Sequence, residues 1–106
     1  MIVSQNLTIT EEQQEATLTV RLEGQLDRLT SPELDRRLDD KRLAGLKKVV
    51  FDLEKLEYLS SAGLRVFLRV DKAMEDQGEM VITHVNSLIM EIFNVCGFTG
   101  IMNIQP

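Results

Sequence analysis

The chain has 106 residues, room for one domain and little more. Hydrophobic residues make up 43% and charged residues 27%, a composition that excludes a disordered chain and supplies both a core and a solvated surface. The net charge of −5 argues against direct nucleic-acid binding, and no apolar run approaches the ~20 residues of a membrane span.

The first ten residues, MIVSQNLTIT, lack the basic start and apolar block of a secretory signal. The one cysteine, Cys96, allows no internal disulfide, and in its apolar segment it reads as a small buried hydrophobe. A cytoplasmic protein is the expectation. Residues 6–10, NLTIT, alternate as a strand, and the polar run 11–15, EEQQE, reads as a turn. Leu18, Val20 and Leu22 then alternate with Thr17, Thr19 and Arg21, the period of a half-buried strand. Together these predict an antiparallel hairpin.

GQLDRLTSPEL leads into a first helix. Thr30 with Glu33 makes a capping box, whereas Ser31 with Pro32 makes a cap followed by proline at the first helical position. Both registers stand. Leu34 and Leu38 supply the buried stripe, and the helix is expected to end near residues 43–45. KKVVFDL, residues 47–53, is a short apolar strand of the kind buried on both faces, and EKLEYLSS connects it to a second helix. There Val66, Phe67, Val70, Ala73 and Met74 share one face. EMVIT is a further strand, Asn86 or Ser87 caps a third helix carrying Leu88, Ile89, Ile92, Phe93 and Cys96 up to Gly97, and GIMNI is a last strand. The order β-β-α-β-α-β-α-β implies one α/β domain, residues 1–106, with helices packed on a mixed sheet and a right-handed parallel crossover through residues 48–83.

Few residues offer chemistry of their own. The single histidine, His84, stands at a strand end, and the serines lie in LSSAG and not in G-x-S-x-G, so a serine hydrolase lacks its signature. There is no C-x-x-C, no H-x-x-x-H and no glycine-rich phosphate loop, so no metal and no cofactor is expected. The Asp39–Asp40 and Glu11–Glu12 pairs read as solvated surface.

The serine junction remains. Ser60 or Ser61 precedes the second helix, where a hydroxyl can cap exposed amides. The same place favours an anion, because free N–H groups and the helix dipole stabilise negative charge. Capping and phosphate acceptance are compatible. Arg65, Arg69 and Lys72 follow at helical spacing as a basic stripe, read either as a receiver for an acidic partner or as a solvated face paired with Asp71 or Glu75.

The succession LEGQLDRLTSPEL, then VVFDLEKLEYLSSAGLRVFL, resembles the STAS domain of bacterial anti-sigma factor antagonists over essentially the whole chain. Members carry G-x-L/I-D before the first helix, here Gly24-Gln25-Leu26-Asp27. They also carry a strand ending in D-L, here Asp52-Leu53, and a D-S-[SA]-G-L segment opening the second helix. Matching Gly63-Leu64 to that segment puts Ser61 at the position phosphorylated in the family, with Ser60 as the alternative. Ser60 stands where the family has aspartate, Ala62 is a common variant, and Arg65 replaces a frequent glycine.

The resemblance implies partner switching with no catalysis by this chain. The unmodified protein binds an anti-sigma factor that is also a serine kinase, phosphorylation of Ser61 blocks binding, and a serine phosphatase resets it. The implied contact surface comprises Gly24, Asp27, Arg28, Leu59, Ser60, Ser61, Ala62, Leu64, Arg65 and Arg69. The missing aspartate keeps an alternative open: a STAS scaffold or transporter-associated subunit that is never phosphorylated.

Overall fold

The computed structural model describes residues 6–98, 100 and 102–106. Five strands form one sheet in the order β1-β2-β3-β4-β5: β1 Leu7–Gln14, β2 Thr17–Leu26, β3 Lys48–Leu59, β4 Glu79–Thr83 and β5 Asn103–Gln105. The helices are α1 Ser31–Arg37, α2 Asp40–Leu43, α3 Ser61–Met74 and α4 Ser87–Val95. The mixed sheet and the alternation of elements agree with the sequence reading. β1 and β2 are antiparallel, and β2–β3, β3–β4 and β4–β5 are parallel.

Several expectations need correction. The run 11–15 is not a turn: β1 continues through Gln14, which pairs with Thr17, and the reversal is confined to Glu15 and Ala16, with Glu15 at φ 57°. Its acids have partners, since Glu11 meets Arg42 at 3.1 Å and Glu12 meets Arg21 at 2.9 Å. The single helix expected from residue 31 to about 43 is two helices. The chain leaves helical geometry at Leu38, and Asp39, expected only as solvated surface, caps α2 by accepting from the Arg42 amide at 2.9 Å. The third correction is to β3, which runs on through EKLEYL to Leu59. Its inward residues are Val49, Phe51, Leu53, Leu56 and Leu59. The last three fall three apart because the β2–β3 register shifts twice, between Arg21 and Glu23 and between Gly24 and Gln25. Bulges of this kind hide a strand from a search for period two. Nor is β3 buried on both faces: Lys48, Val50 and Asp52 are only half covered.

One core takes Leu18, Val20, Leu22 and Leu26 of β2 and the inward residues of β3. Against them pack Leu34 and Leu38, the α3 face with Val66, Phe67, Val70 and Met74, and Ile89 and Phe93 of α4. Phe67 links the layers, with ring centroids 4.7 Å from Phe51 and 6.3 Å from Phe93. Burying such a side chain contributes about 2–3 kcal/mol. Leu88 and Cys96, assigned to the core from sequence, are exposed: α4 buries Ile89 and Phe93, and the third expected core position, Ile92, is half-buried. The expected last strand, residues 100–104, is observed at Asn103–Gln105, and Ile101 lies outside the described residues.

Gly63 lets the first turn of α3 sit down on this core. A Cβ there would lie 2.7 Å from Leu26 Cγ and 2.8 Å from Leu59 Cδ1, closer than packed carbons tolerate. Replacing Gly63 by alanine is therefore expected to destabilise the protein by about 1–3 kcal/mol, despite alanine's better helix propensity. Urea denaturation measures this directly; a stabilised Gly63→Ala protein would contradict the packing.

Candidate functional site

The site forms where β2 and β3 end side by side. Leu26 is paired with Leu59, and one residue further on the Ser60 amide donates to the Leu26 carbonyl at 2.9 Å. The loop that follows β2 is built on Asp27. Its Oδ1 accepts from the amides of Leu29 at 2.9 Å and Thr30 at 3.0 Å, and its carbonyl accepts from the Ser31 amide at 2.8 Å. The Thr30 hydroxyl donates to the Gln25 carbonyl at 2.8 Å and accepts from the Asp27 amide at 2.9 Å. Thr30 thus closes the loop and leaves α1 without a side-chain cap. Of the two registers read from sequence, the one with Thr30 at the N-cap position is the one found, but no capping box forms, and Ser31 is the first helical residue. Asp27 is a loop-forming residue whose Oδ1 already serves two amides.

The two serines divide by burial. Ser60 is the N-cap residue of α3, with extended backbone, and its carbonyl accepts from the Leu64 amide at 3.0 Å. Its hydroxyl makes no cap hydrogen bond; Oγ is buried without a hydrogen-bond partner among the described residues. The expected side-chain cap is absent, and Ser61, the first helical residue, is exposed.

The remaining predicted residues do not all reach the surface. Leu59 and Leu64 are 2% and 3% exposed and belong to the core, because bulged β3 and the α3 face turn them inward. Gly24 has φ +108°, and a Cβ there would run into the Asn6 carbonyl, so its role is backbone geometry where β1 begins. Ala62 is half-buried, and Arg28 and Arg65 are exposed. These three, with Ser31, Pro32 and Asp35, line a groove of about 440 Å³ between α1 and α3. Arg69 closes its far end: Nε lies 2.7 Å from Asp35 Oδ1, and Nη2 donates to the carbonyls of Leu38 at 2.7 Å and Asp35 at 3.1 Å.

Arg69 is therefore an α1–α3 clasp that satisfies carbonyls at the end of α1. No sequence signal linked Asp35 to Arg69, which lie 34 residues apart on different helices. Asp71, offered as a local partner for the basic stripe, has its carboxyl pushed up by burial and by the nearby Glu75. On α1, hydrogen bonds from Arg36 and Arg37 hold the exposed Glu33 carboxyl below its ordinary value.

His84 stands apart from the serines. Its Nδ1 lies 3.2 Å from Asp52 Oδ1 on β3. Leu59 is seven residues further along that strand, about 23 Å at 3.3 Å per residue. His84 cannot serve Ser61 as a base across that distance.

The comparisons with known proteins fit this geometry. The STAS domain model matches residues 8–106. The anti-sigma-B factor antagonist of Staphylococcus aureus is 31% identical over 101 residues, covering 94% of each chain. BtrV of Bordetella bronchiseptica, whose name marks it as a candidate anti-sigma factor antagonist, is 33% identical over 96 residues, 90% of this chain and 83% of its own. Among solved structures, an anti-sigma factor antagonist from Mycobacterium paratuberculosis superposes with a TM-score of 0.84 at 18% identity, covering 94% of this chain and 86% of that one. The antagonist SpoIIAA in its unphosphorylated form gives 0.80 at 17% identity over 92% and 87%. Its phosphorylated form from Bacillus gives 0.70 at the same identity, over 92% and 90%. The chain belongs to the STAS-domain family of bacterial anti-sigma factor antagonists.

Three substitutions test the roles assigned to these side chains. Removing a buried hydroxyl that has no partner is neutral or favourable, whereas losing a true cap costs about 1 kcal/mol. Ser60→Ala should therefore leave unfolding free energy unchanged or raise it, and a loss of that size would restore the cap. Arg69→Ala should cost about 1.5–3 kcal/mol, and Arg65→Ala less than 0.5 kcal/mol. Equal effects in chemical denaturation would contradict the clasp.

Proposed function

We propose that the protein binds an anti-sigma factor through the end of β3 and the first turns of α3, so releasing a sigma factor, and that phosphorylation of Ser61 ends the binding. The carrying observation is the contrast between the two hydroxyl residues: Ser61 is exposed at the start of a 14-residue helix, while Ser60 Oγ is buried. A kinase needs an acceptor that reaches into its own site, and Ser61 meets that requirement. The Ser61 oxygen would form its bond to the γ-phosphorus of ATP as the bond to ADP breaks, the serine proton passing to a base on the kinase. Hydrolysis by a phosphatase restores the hydroxyl.

The fold suits the modified state as well. Amides in the first turn of α3 and the helix dipole stabilise negative charge, so a phosphate there need not disturb the core. It adds roughly two negative charges to the surface offered to the partner. That surface comprises Ser61, Ala62 and Arg65 of α3 with Asp27 and Arg28 of the β2–α1 loop. The relatives named as antagonists support the anti-sigma factor as partner, and the solved phosphorylated SpoIIAA supports a phosphoprotein of this fold. Such an exchange belongs in the cytoplasm. No described helix is long and apolar enough to cross a membrane.

Affinity for the anti-sigma factor is the measurement. Ser61→Ala should bind as the unmodified protein does and resist the kinase, while Ser61→Glu and protein carrying phosphoserine at position 61 should bind about tenfold or more weakly. Undiminished binding of the phosphorylated protein would overturn the reading in favour of a STAS scaffold that is not switched at this serine.

A further inference from the structure

The chain has seven arginines among 12 basic and 17 acidic side chains. Arg21, Arg36, Arg37, Arg42 and Arg69 each meet a carboxylate within 4.0 Å. Among the described residues, Arg28 and Arg65 have no carboxylate at that distance. Both are exposed, and both line the groove between α1 and α3 beside Ala62. On a chain of net charge −5, the two unpaired guanidiniums thus share one groove, which is lined also by Ala62, the residue after Ser61.

Their placement is directed. Arg65 is four residues after Ser61 on α3, so the two side chains lie one above the other on the same helix face. Helical side chains lean toward the N-terminus, a direction that brings the Arg65 side chain toward the turn of Ser61. Arg28 stands in the loop after β2, two residues beyond the Leu26 carbonyl that accepts the Ser60 amide. Neither carboxylate beside the groove is unengaged. Asp35 is held by Arg69 at 2.7 Å, and Asp27 Oδ1 accepts from two backbone amides. Residue 60, next to the acceptor, is an uncharged serine.

We infer that Arg65 and Arg28 cradle the phosphate carried by Ser61 in the modified protein. The inference rests on Ser61 being the acceptor. A phosphate dianion presents three strong acceptor oxygens, and the planar guanidinium fork matches two of them at once. Modification then does more than add charge. It offsets the charge of the two guanidiniums and withdraws both from the surface that the unmodified protein offers the partner. The off state is held by the protein's own surface, not by repulsion alone.

The test uses full-length protein with phosphoserine installed at position 61 during translation, so that no kinase is required. Phosphorus NMR follows the phosphate through its second ionisation, which lies near pH 6 for a free phosphoserine, roughly. The cradle predicts a midpoint about one pH unit lower, a tenfold preference for the dianion. Arg65→Gln and Arg28→Gln should each move it back, the double variant should move it furthest and keep only the part due to the helix amides, and Arg65→Lys should fall between. Because both arginines are exposed, the unmodified variants should melt with the wild-type protein, which serves as the folding control. A wild-type midpoint at the free value would overturn the inference. So would a double variant whose midpoint equals that of the wild-type protein, since the helix amides alone would then account for the lowering. Failure of a kinase to modify Ser61 in a separate reaction would overturn the functional reading and leave this measurement standing.

Discussion

Parallel pairing of β2 with β3, carried as far as Leu26 and Leu59, is the constraint on which the rest of the site depends. Parallel neighbours end at the same edge of a sheet, so the loops that follow them emerge together. The Ser60 amide, bonded to the Leu26 carbonyl at 2.9 Å, extends that pairing past the last ladder position. It brings the Asp27 loop beside the start of α3 although the two are more than 30 residues apart in sequence. Two register shifts let β3 reach that edge with Leu56 and Leu59 still facing the core. Gly63 then allows the first turn of α3 to lie directly on Leu26 and Leu59.

This arrangement separates two adjacent hydroxyls. The backbone of Ser60 belongs to the strand–helix junction, and its Oγ is packed without a partner. Leaving a buried hydroxyl unsatisfied costs about 1–3 kcal/mol. A departure from polar satisfaction next to an exposed serine is the kind of local conflict that proteins retain at functional positions. One residue on, the chain is helical and Ser61 faces solvent. The difference between the buried and the exposed serine is thus a single step through a helix start.

Much of the architecture was legible because it rests on local patterns. Strict alternation at Leu18, Val20 and Leu22 marks β2, and the spacing of Val66, Phe67, Val70 and Met74 marks the inner face of α3. Asn86 caps α4, its Oδ1 accepting from the Ile89 amide at 2.8 Å, one of the two caps expected there. What escaped depends on contacts between distant segments. The bulges disguised the second half of β3, since Leu53, Leu56 and Leu59 repeat every third residue. Thr30 looked like a cap but closes a loop against Gln25. Arg69 looked like part of a basic stripe, and only the packing of α1 on α3 engages it with Asp35 and two carbonyls. Leu59 and Leu64 flank the motif, and the resemblance implies contact there, yet flanking positions on a strand end and a helix face inward as readily as outward.

The central claim is that Ser61, and not its buried neighbour, receives the phosphate. Intact-mass and peptide mass spectrometry of the protein from its native cells, with and without phosphatase treatment, tests it most directly. The account predicts a phosphatase-sensitive phosphate located on Ser61. A phosphate on Ser60, or none under growth conditions that change sigma factor use, would contradict it.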